Sequence, residues 1–599
     1  MPPHKATEIK IMLNTSDSLL RKALKFAEIS LEAHLENINN INVFPVADND
    51  TGSNLWRTIK GIADTLDASE SNTKQLETYA EGVFLKASGN SGMMFSMFLS
   101  YFSAYFMEND KVFDMPTLAK ALLSASQQAK HHIDNFVHGT LISYLESVAL
   151  NLSKPPIMSL SERDFNPLLT LLSQQLLNTS EENPFLKDTA LVDAGAMGIH
   201  YWLKGFLAGL CGINNELLTS SEAENIATNN KCESIHWETK PEYHYCVQMT
   251  LNISEHMQPQ LSRDLAEDGD CSLNLFRHGK SRIHIHTNHA KDLFKKIMAY
   301  ANVLEVKIDN MMMQYQAHQS KGGIAIVTDS SADIPQIILD AHPIHCIPLT
   351  ITQGDQVMLD GLTIDGSDLP ARIKAYPDYP KTASPSLGMI KDTFTWLSKT
   401  HEHVIVVALS AKMSATYQAF KTLAQEFSNV SVIDSRTSSG AHGWLVASVA
   451  ELIAQGMSID HILEKTHNLI DNIDIFVLLN DCDSMTKSGR FGRAKAWIAN
   501  TMKLKPIVGI NNDGEAILIA KTMSTIKQSD KLFKIMQQKH QEKPIRRFSI
   551  LHANNHTYAK NLASALEEKL GLKSSGIMPV SSVIQLHAGQ GSVAVAIER

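Results

Sequence analysis

Cysteine is scarce in this chain: six in 599 residues, at Cys211, Cys232, Cys246, Cys271, Cys346 and Cys482, with no CxxC pair among them. So sparse a set excludes a disulfide scaffold and fits a reducing compartment. The GxxxxGK[ST] phosphate loop is absent, as is the GxSxG elbow of many hydrolases. No apolar run is long enough to cross a bilayer. The 21 uncharged residues between Lys86 and Glu108 begin with six small or polar ones, and Ser96, Ser100 and Ser103 recur in the rest. What remains is shorter than the roughly 20 apolar residues a spanning helix needs, so the segment reads as a buried core helix. The first residues, MPPHKATEIK, show no charged region followed by an apolar one. That predicts no secretory signal and a cytoplasmic protein. An excess of basic charge is also missing. Residues 1–230 hold 16 basic and 26 acidic side chains, and residues 321–599 hold 28 and 26, within a net charge of −9. A general nucleic-acid binder is excluded, because phosphate backbones attract the opposite sign.

What is present is an ordinary globular composition, 44% hydrophobic and 20% charged. The length is too great for one core; at roughly 150 residues per domain, about four modules are expected. Residues 16 to about 210 repeat their apolar positions at helical spacing. A polar stretch at 212–242 reads as a linker. Beyond it, YCVQMTLNI and RIHIHT alternate as strands do, and KDLFKKIMAYA reads as a helix. After a second break at 316–323 (QAHQSKGG), buried strands such as IAIVTDSS, HVIVVALS and VSVID alternate with helices. The pattern predicts a multidomain chain: an all-α unit at 10–211, a small α/β unit at 243–315 and a larger α/β unit at 322–599.

The first unit carries NVFPVADNDTGSN at 42–54, where Asp48 and Asp50 stand one residue apart. Carboxylates so close repel, and a hard divalent cation is one way to offset this. A plain turn capping the next helix through Asp50 or Thr51 is the other reading. KASGNSG (86–92), HGTL (138–141) and VDAGAMG (192–198) are further turns at helix starts, where backbone amides can hold phosphate. Together these segments resemble the DhaL-type ATP-binding domain of dihydroxyacetone kinases, and most nearly its variant in bacterial fatty acid kinases, NVFPVPDGDTGTN. The resemblance implies an antiparallel helical barrel holding ATP and two Mg²⁺. It puts Asp48 and Asp50 in the metal-ligand positions. Asn42, Thr51, Asn54, Asn90, Ser91, Gly92, Gly139, Thr140 and Asp193 fall at the nucleotide site. Ala47 and Asn49 replace the family's Pro and Gly, and Ser88 replaces the Arg of GARGNSG.

In the second unit, His284 and His286 alternate in a strand and share a face. They read either as a half-exposed strand face or, with Cys246 of YHYCVQ, as soft ligands for Zn²⁺. The fatty acid kinase middle domain has a Cys in a YxYC strand, an HVHT strand and an IDNM segment, matched here at Cys246, His284, His286 and residues 308–311. That resemblance implies a structural zinc site with an unidentified fourth ligand. His244 and His289 match nothing and read as surface or core residues.

The third unit presents VTDSSADIP, TASPS, ALSAKMSATYQ, VIDSRTSSGAHG, KSGRFG and LHAGQG, many of them at strand ends, where ligands bind in open α/β sheets. Helix capping accounts equally for any single one. Ser414 and His587 show no oriented triad, so a hydrolase is set aside. In order, the motifs resemble the DegV family of fatty-acid-binding proteins, implying a two-lobed α/β domain that holds a long-chain fatty acid. By resemblance Thr382, Ser414 and His587 contact its carboxylate, and Arg490 lies near the head group. Ala383, Ser384, Ala415 and Leu586 depart from the family pattern.

The kinase's usual C-terminal domain has no match; the DegV-like unit stands in its place. The expected activity is ATP-dependent phosphorylation of a bound fatty acid, with Asp48, Asp50 and Arg490 as the catalytic set. A homodimer and at most peripheral membrane contact for lipid exchange are expected by analogy. The alternatives are a lipid-binding or regulatory protein with a silent kinase half, and a DhaL-type kinase with a small hydroxylated acceptor.

Overall fold

The computed structural model describes residues 18–42, 50–108, 113–133, 136–152, 160–187, 189, 191–213, 240–319, 322–488 and 504–599. The first part is all helix: α1 (Leu19–Ala33), α2 (Leu35–Asn40), α3 (Thr51–Ile59), α4 (Asn72–Lys86), α5 (Gly89–Met107), α6 (Met115–Lys130), α7 (Leu141–Leu152), α8 (Phe165–Glu182) and α9 (Ala194–Leu210). Side-chain caps set several starts. Ser18 accepts from Arg21 N, Ser71 from Lys74 N, Asp114 from Thr117 N and Asp193 from Ala196 N. From α4 onward each helix packs on the next, and α4 and α9 both return to α1, closing the ring.

Every residue of α9 is buried. Its glycines let α1 approach: a Cβ on Gly205 would stand 2.2 Å from Phe26 O, and one on Gly209 2.3 Å from Ala23 Cα. The uncharged segment after Lys86 is α5, with Phe95, Phe98, Phe102 and Phe106 all in the core. Among the described residues no helix is long and apolar enough to cross a membrane.

The second part is a four-stranded sheet of order β2-β3-β1-β4, built from β1 (Tyr245–Asn252), β2 (Gly269–Arg277), β3 (Lys280–Thr287) and β4 (Asn302–Asn310). β1 and β4 are antiparallel, with Cys246 opposite Asp309. The break expected at 316–323 is shorter than its composition suggests. A helix runs Met311–Gln319, and the chain turns at Gly322 and Gly323, both at positive φ. Gln316 and Ala317 are good helix formers, so the helix runs through the first half of the expected break.

The third part has two main sheets. One is parallel, in the order β11-β10-β5-β6, from β5 (Ile324–Asp329), β6 (Ile344–Ile347), β10 (His403–Ala408) and β11 (Val430–Asp434). A three-stranded sheet, β8-β7-β9, comes from β7 (Thr350–Gln353), β8 (Gln356–Leu359) and β9 (Lys381–Ala383). The other main sheet has the order β14-β13-β12-β17-β15-β16. Its strands are β12 (Ile473–Leu478), β13 (Ile507–Ile510), β14 (Ala516–Ala520), β15 (Arg547–His552), β16 (Ile577–Pro579) and β17 (Val593–Glu598). The helix Ser439–Ala454 shares one core with Ile326 and Ile405 of the parallel sheet and Ile475, Leu551 and Ala596 of the larger one. That shared core makes the two lobes a single domain. Lys291–Asp365 (2.6 Å), Lys295–Asp368 (2.8 Å) and Lys307–Asp392 (3.2 Å) tie it to the segments around β4.

Candidate functional sites

Four helix starts meet at one end of the helical part. A Cβ on Gly89, which opens α5 at φ +63°, would lie 2.3 Å from Asn54 Nδ2 of α3. One on Gly195 would lie 3.4 Å from Ser91 Oγ and 3.5 Å from Leu141 Cβ, joining α9 to the starts of α5 and α7. Neighbouring helices that run in opposite senses bring α3, α5, α7 and α9 to the same end. Four positive dipole ends then face one region, an arrangement suited to an anion, while the Asp193 carboxyl takes first-turn amides of α9.

The residues expected there are in place. Asp50 stands at the N-cap position of α3, yet its carboxylate makes no capping bond, so the plain-cap reading does not describe that side chain. Thr51 and Asn54 are buried in the first turn of α3, and Asn42 is buried just before the segment 43–49. Ser88 donates to Asn54 Oδ1 at 3.1 Å and accepts nothing from its own helix. Asn90 Oδ1 is buried with no hydrogen-bond partner among the described residues, as a ligand-facing oxygen would be. Gly92 packs on Thr58, whose hydroxyl a Cβ would meet at 2.3 Å. Gly139 turns at φ +75° against Asn183, and Thr140 N donates to Ser143 Oγ at 2.8 Å. Asp193 accepts from Ala196 N at 2.7 Å, and its own amide donates to Thr179 Oγ1. Burial pushes its carboxyl up to about 7 despite amides from Ala196, Gly195 and Leu141. Asp48, like Arg490 of the third part, lies outside the described residues. Thr58, Thr179 and Asn183 escaped the sequence reading because each lies mid-helix or at a helix end, away from any glycine-rich turn.

In the four-stranded sheet, ligand atoms of Cys246, His284 and His286 all lie within 4.8 Å of one another. The His284 and His286 Nε2 atoms are 3.3 Å apart. Both histidines are buried, which corrects the half-exposed strand face. Burial lowers the His286 pKa, with Asp270 opposing, the direction that favours the neutral ring a metal binds. The donor set suits Zn²⁺. Asp270 and Cys271 bring ligand atoms equally near His286. Sequence reading passed over them because adjacent residues in a strand normally point apart; Cys271 sits at φ +50°. His244 and His289 are exposed.

Between the two main sheets of the third part lies a cavity of about 400 Å³, within the usual range for ligand sites. Ile475, Val477, Val508, Ile510 and Leu551 form much of its wall. Thr382, Ser414 and His587 all line it, from β9, the turn after β10 and the helix Ser582–Ala588. The Thr382 hydroxyl is 3.1 Å from His587 Nε2. Ser414 Oγ is 2.8 Å from Thr416 Oγ1, which donates to Ser384 Oγ at 3.2 Å. Ser384 and Thr416 belong to the motifs TASPS and SATYQ; only packing shows that those motifs touch.

Family models match along the chain in order: the DAK2 domain at 45–208, the middle domain of fatty acid kinase-like proteins at 242–318, and the uncharacterised DegV family at 323–599. A DegV domain-containing protein of Staphylococcus aureus is 30% identical over 273 residues, 45% of this chain and 97% of that protein. Protein DegV of Bacillus subtilis is 25% identical over 276 residues, 45% of this chain and 98% of its own. Among solved structures, the B. subtilis DegV, described as a fatty acid binding protein, is 24% identical with a TM-score of 0.43, covering 46% of this chain and 99% of its own. A fatty acid binding DegV family protein of Streptococcus agalactiae is 26% identical with a TM-score of 0.43, covering 46% and 98%. The chain belongs to the DegV family, and carries its DegV unit behind a DAK2 domain and a fatty acid kinase-like middle domain.

Proposed function

We propose that this chain is a fatty acid kinase in one polypeptide, phosphorylating the carboxylate of a fatty acid held in its own DegV unit to give acyl phosphate and ADP. The observation that carries the reading is the apolar cavity ending on Thr382, Ser414 and His587, in a chain that also holds kinase-type domains. Bound ATP with two Mg²⁺ supplies the phosphoryl group and the cations that neutralise it. Asp48 and Asp50 hold those cations, and the helix starts at Asn54, Ser91, Thr140 and Asp193 hold the phosphates. Thr382 and Ser414 donate to the fatty acid carboxylate, and His587 orients Thr382. Arg490 offsets the charge of the acceptor. A carboxylate is already ionised at pH 7, so no residue need act as general base. Cys246, His284 and His286 hold a structural Zn²⁺.

Purified chain incubated with ATP, Mg²⁺ and long-chain fatty acids should form an acyl phosphate that hydroxylamine traps as a hydroxamate. Co-purifying fatty acid without product would instead support a lipid-binding protein with a silent kinase half. Ser88 favours that second reading, since a hydroxyl bonded to Asn54 stands where the resembled kinases have a guanidinium. Full activity in an Asp48→Ala/Asp50→Ala variant would remove the metal assignment.

A further inference from the structure

His587 and Thr382 come from distant segments, and something must hold those segments in register for their side chains to meet. Tyr379 sits three residues before Thr382. Its hydroxyl donates to Leu586 O at 2.7 Å, the carbonyl next to His587. The helix Asp483–Ser488 lies beside the Tyr379 ring. Lys487 of that helix stands 5.7 Å from the centre of the Tyr379 ring. The helix also packs on Ser582–Ala588 and supplies Met485 to the cavity wall. Tyr379 thus bonds the segment that carries Thr382 to the one that carries His587, and its ring lies against the helix that carries Met485. Tyr379 itself does not line the cavity.

We infer that Tyr379 is a positioning residue for the head-group end of the cavity, holding the His587 imidazole against Thr382 through the Leu586 carbonyl. The inference rests on the fatty acid reading of the cavity and assigns a role within it. A phenol is suited to the task. Its ring fixes the oxygen at a set reach from the backbone, and its neutral O–H donates to a carbonyl without bringing a charge.

The test uses the full chain and Tyr379→Phe, which keeps the ring and removes one oxygen. Fatty acid affinity is measured by displacement of a fluorescent acyl probe, with oleate as competitor, in wild type, Tyr379→Phe, His587→Ala and the double variant. Tyr379→Phe is expected to weaken binding roughly three- to tenfold, the range of one lost hydrogen bond. In the His587→Ala background the same change is expected to cost little further, because the group it positions is gone. A purely structural loss would instead cost the same in both backgrounds. Unchanged affinity in Tyr379→Phe overturns the inference, as does a loss fully additive with His587→Ala. Wild type that binds no oleate overturns the fatty acid reading first and this role with it.

Discussion

Thr382 Oγ1 and His587 Nε2 face each other at 3.1 Å across 205 residues of sequence, one on a short strand and the other on a short helix. The pair closes the polar end of a cavity whose remaining walls are largely aliphatic. A buried carboxylate held by such groups loses much of its binding energy when either is removed. His587→Ala or Thr382→Val is expected to weaken fatty acid binding roughly tenfold or more, the scale of a hydrogen bond to a charged group. Calorimetric titration with oleate checks this, and unaltered affinity in both variants would place the carboxylate elsewhere.

Two buried carboxyls are expected to make the stability of the third domain depend on pH. Asp333 accepts from Ser439 Oγ at 2.5 Å and Ser581 N at 2.8 Å, yet burial pushes it up to about 7. Asp360, bonded to Ser330 and Ser582, rises to about 6 for the same reason. An acid whose folded pKa lies above its unfolded value binds its proton more tightly when folded. Its contribution is complete below about pH 4 and is lost as pH rises through 6 to 7. Asp333→Asn, neutral throughout, should therefore lose less stability than wild type between pH 5 and pH 8. Urea midpoints at several pH values read this; parallel curves would mean that Asp333 is ionised in the fold.

The close contact of α1 with α9 admits no side chain at Gly205. Gly205→Ala should force the helices apart at Phe26 and lower stability by about 1–3 kcal/mol, the usual range for overpacking. A thermal melt that does not shift would show that α1 yields cheaply.

For Cys246, His284 and His286, protein purified without chelator is expected to hold one zinc per chain by elemental analysis. Cys246→Ser or His286→Ala should abolish it and lower the melting temperature, since metal binding adds to folding free energy. Equal metal content in wild type and variants would assign the ion to other residues.

Much of the architecture was legible in the chain itself. Helical periodicity ended near residue 210, as α9 does at Leu210. RIHIHT read as a strand and is β3, and HVIVVALS contains β10. The nucleotide-type turns were legible because phosphate-binding helix starts need small residues, and small residues leave a composition signal. The acidic helical part and the near-neutral DegV unit also differ in charge as their proposed ligands would suggest.

Local pattern determined element type, because periodicity and capping act over a few residues. It determined the presence of Thr382, Ser414 and His587 within their motifs as well. Only the tertiary structure decided that β9 and the helix Ser582–Ala588 meet, that Asp50 leaves its helix uncapped, and that His284 and His286 are buried rather than half exposed. Tyr379 shows the limit most plainly. In sequence it is one tyrosine in a polar loop, and its partner, Leu586, lies about two hundred residues away. Long-range contacts form where buried surfaces fit in three dimensions, and no spacing along a single chain records that fit.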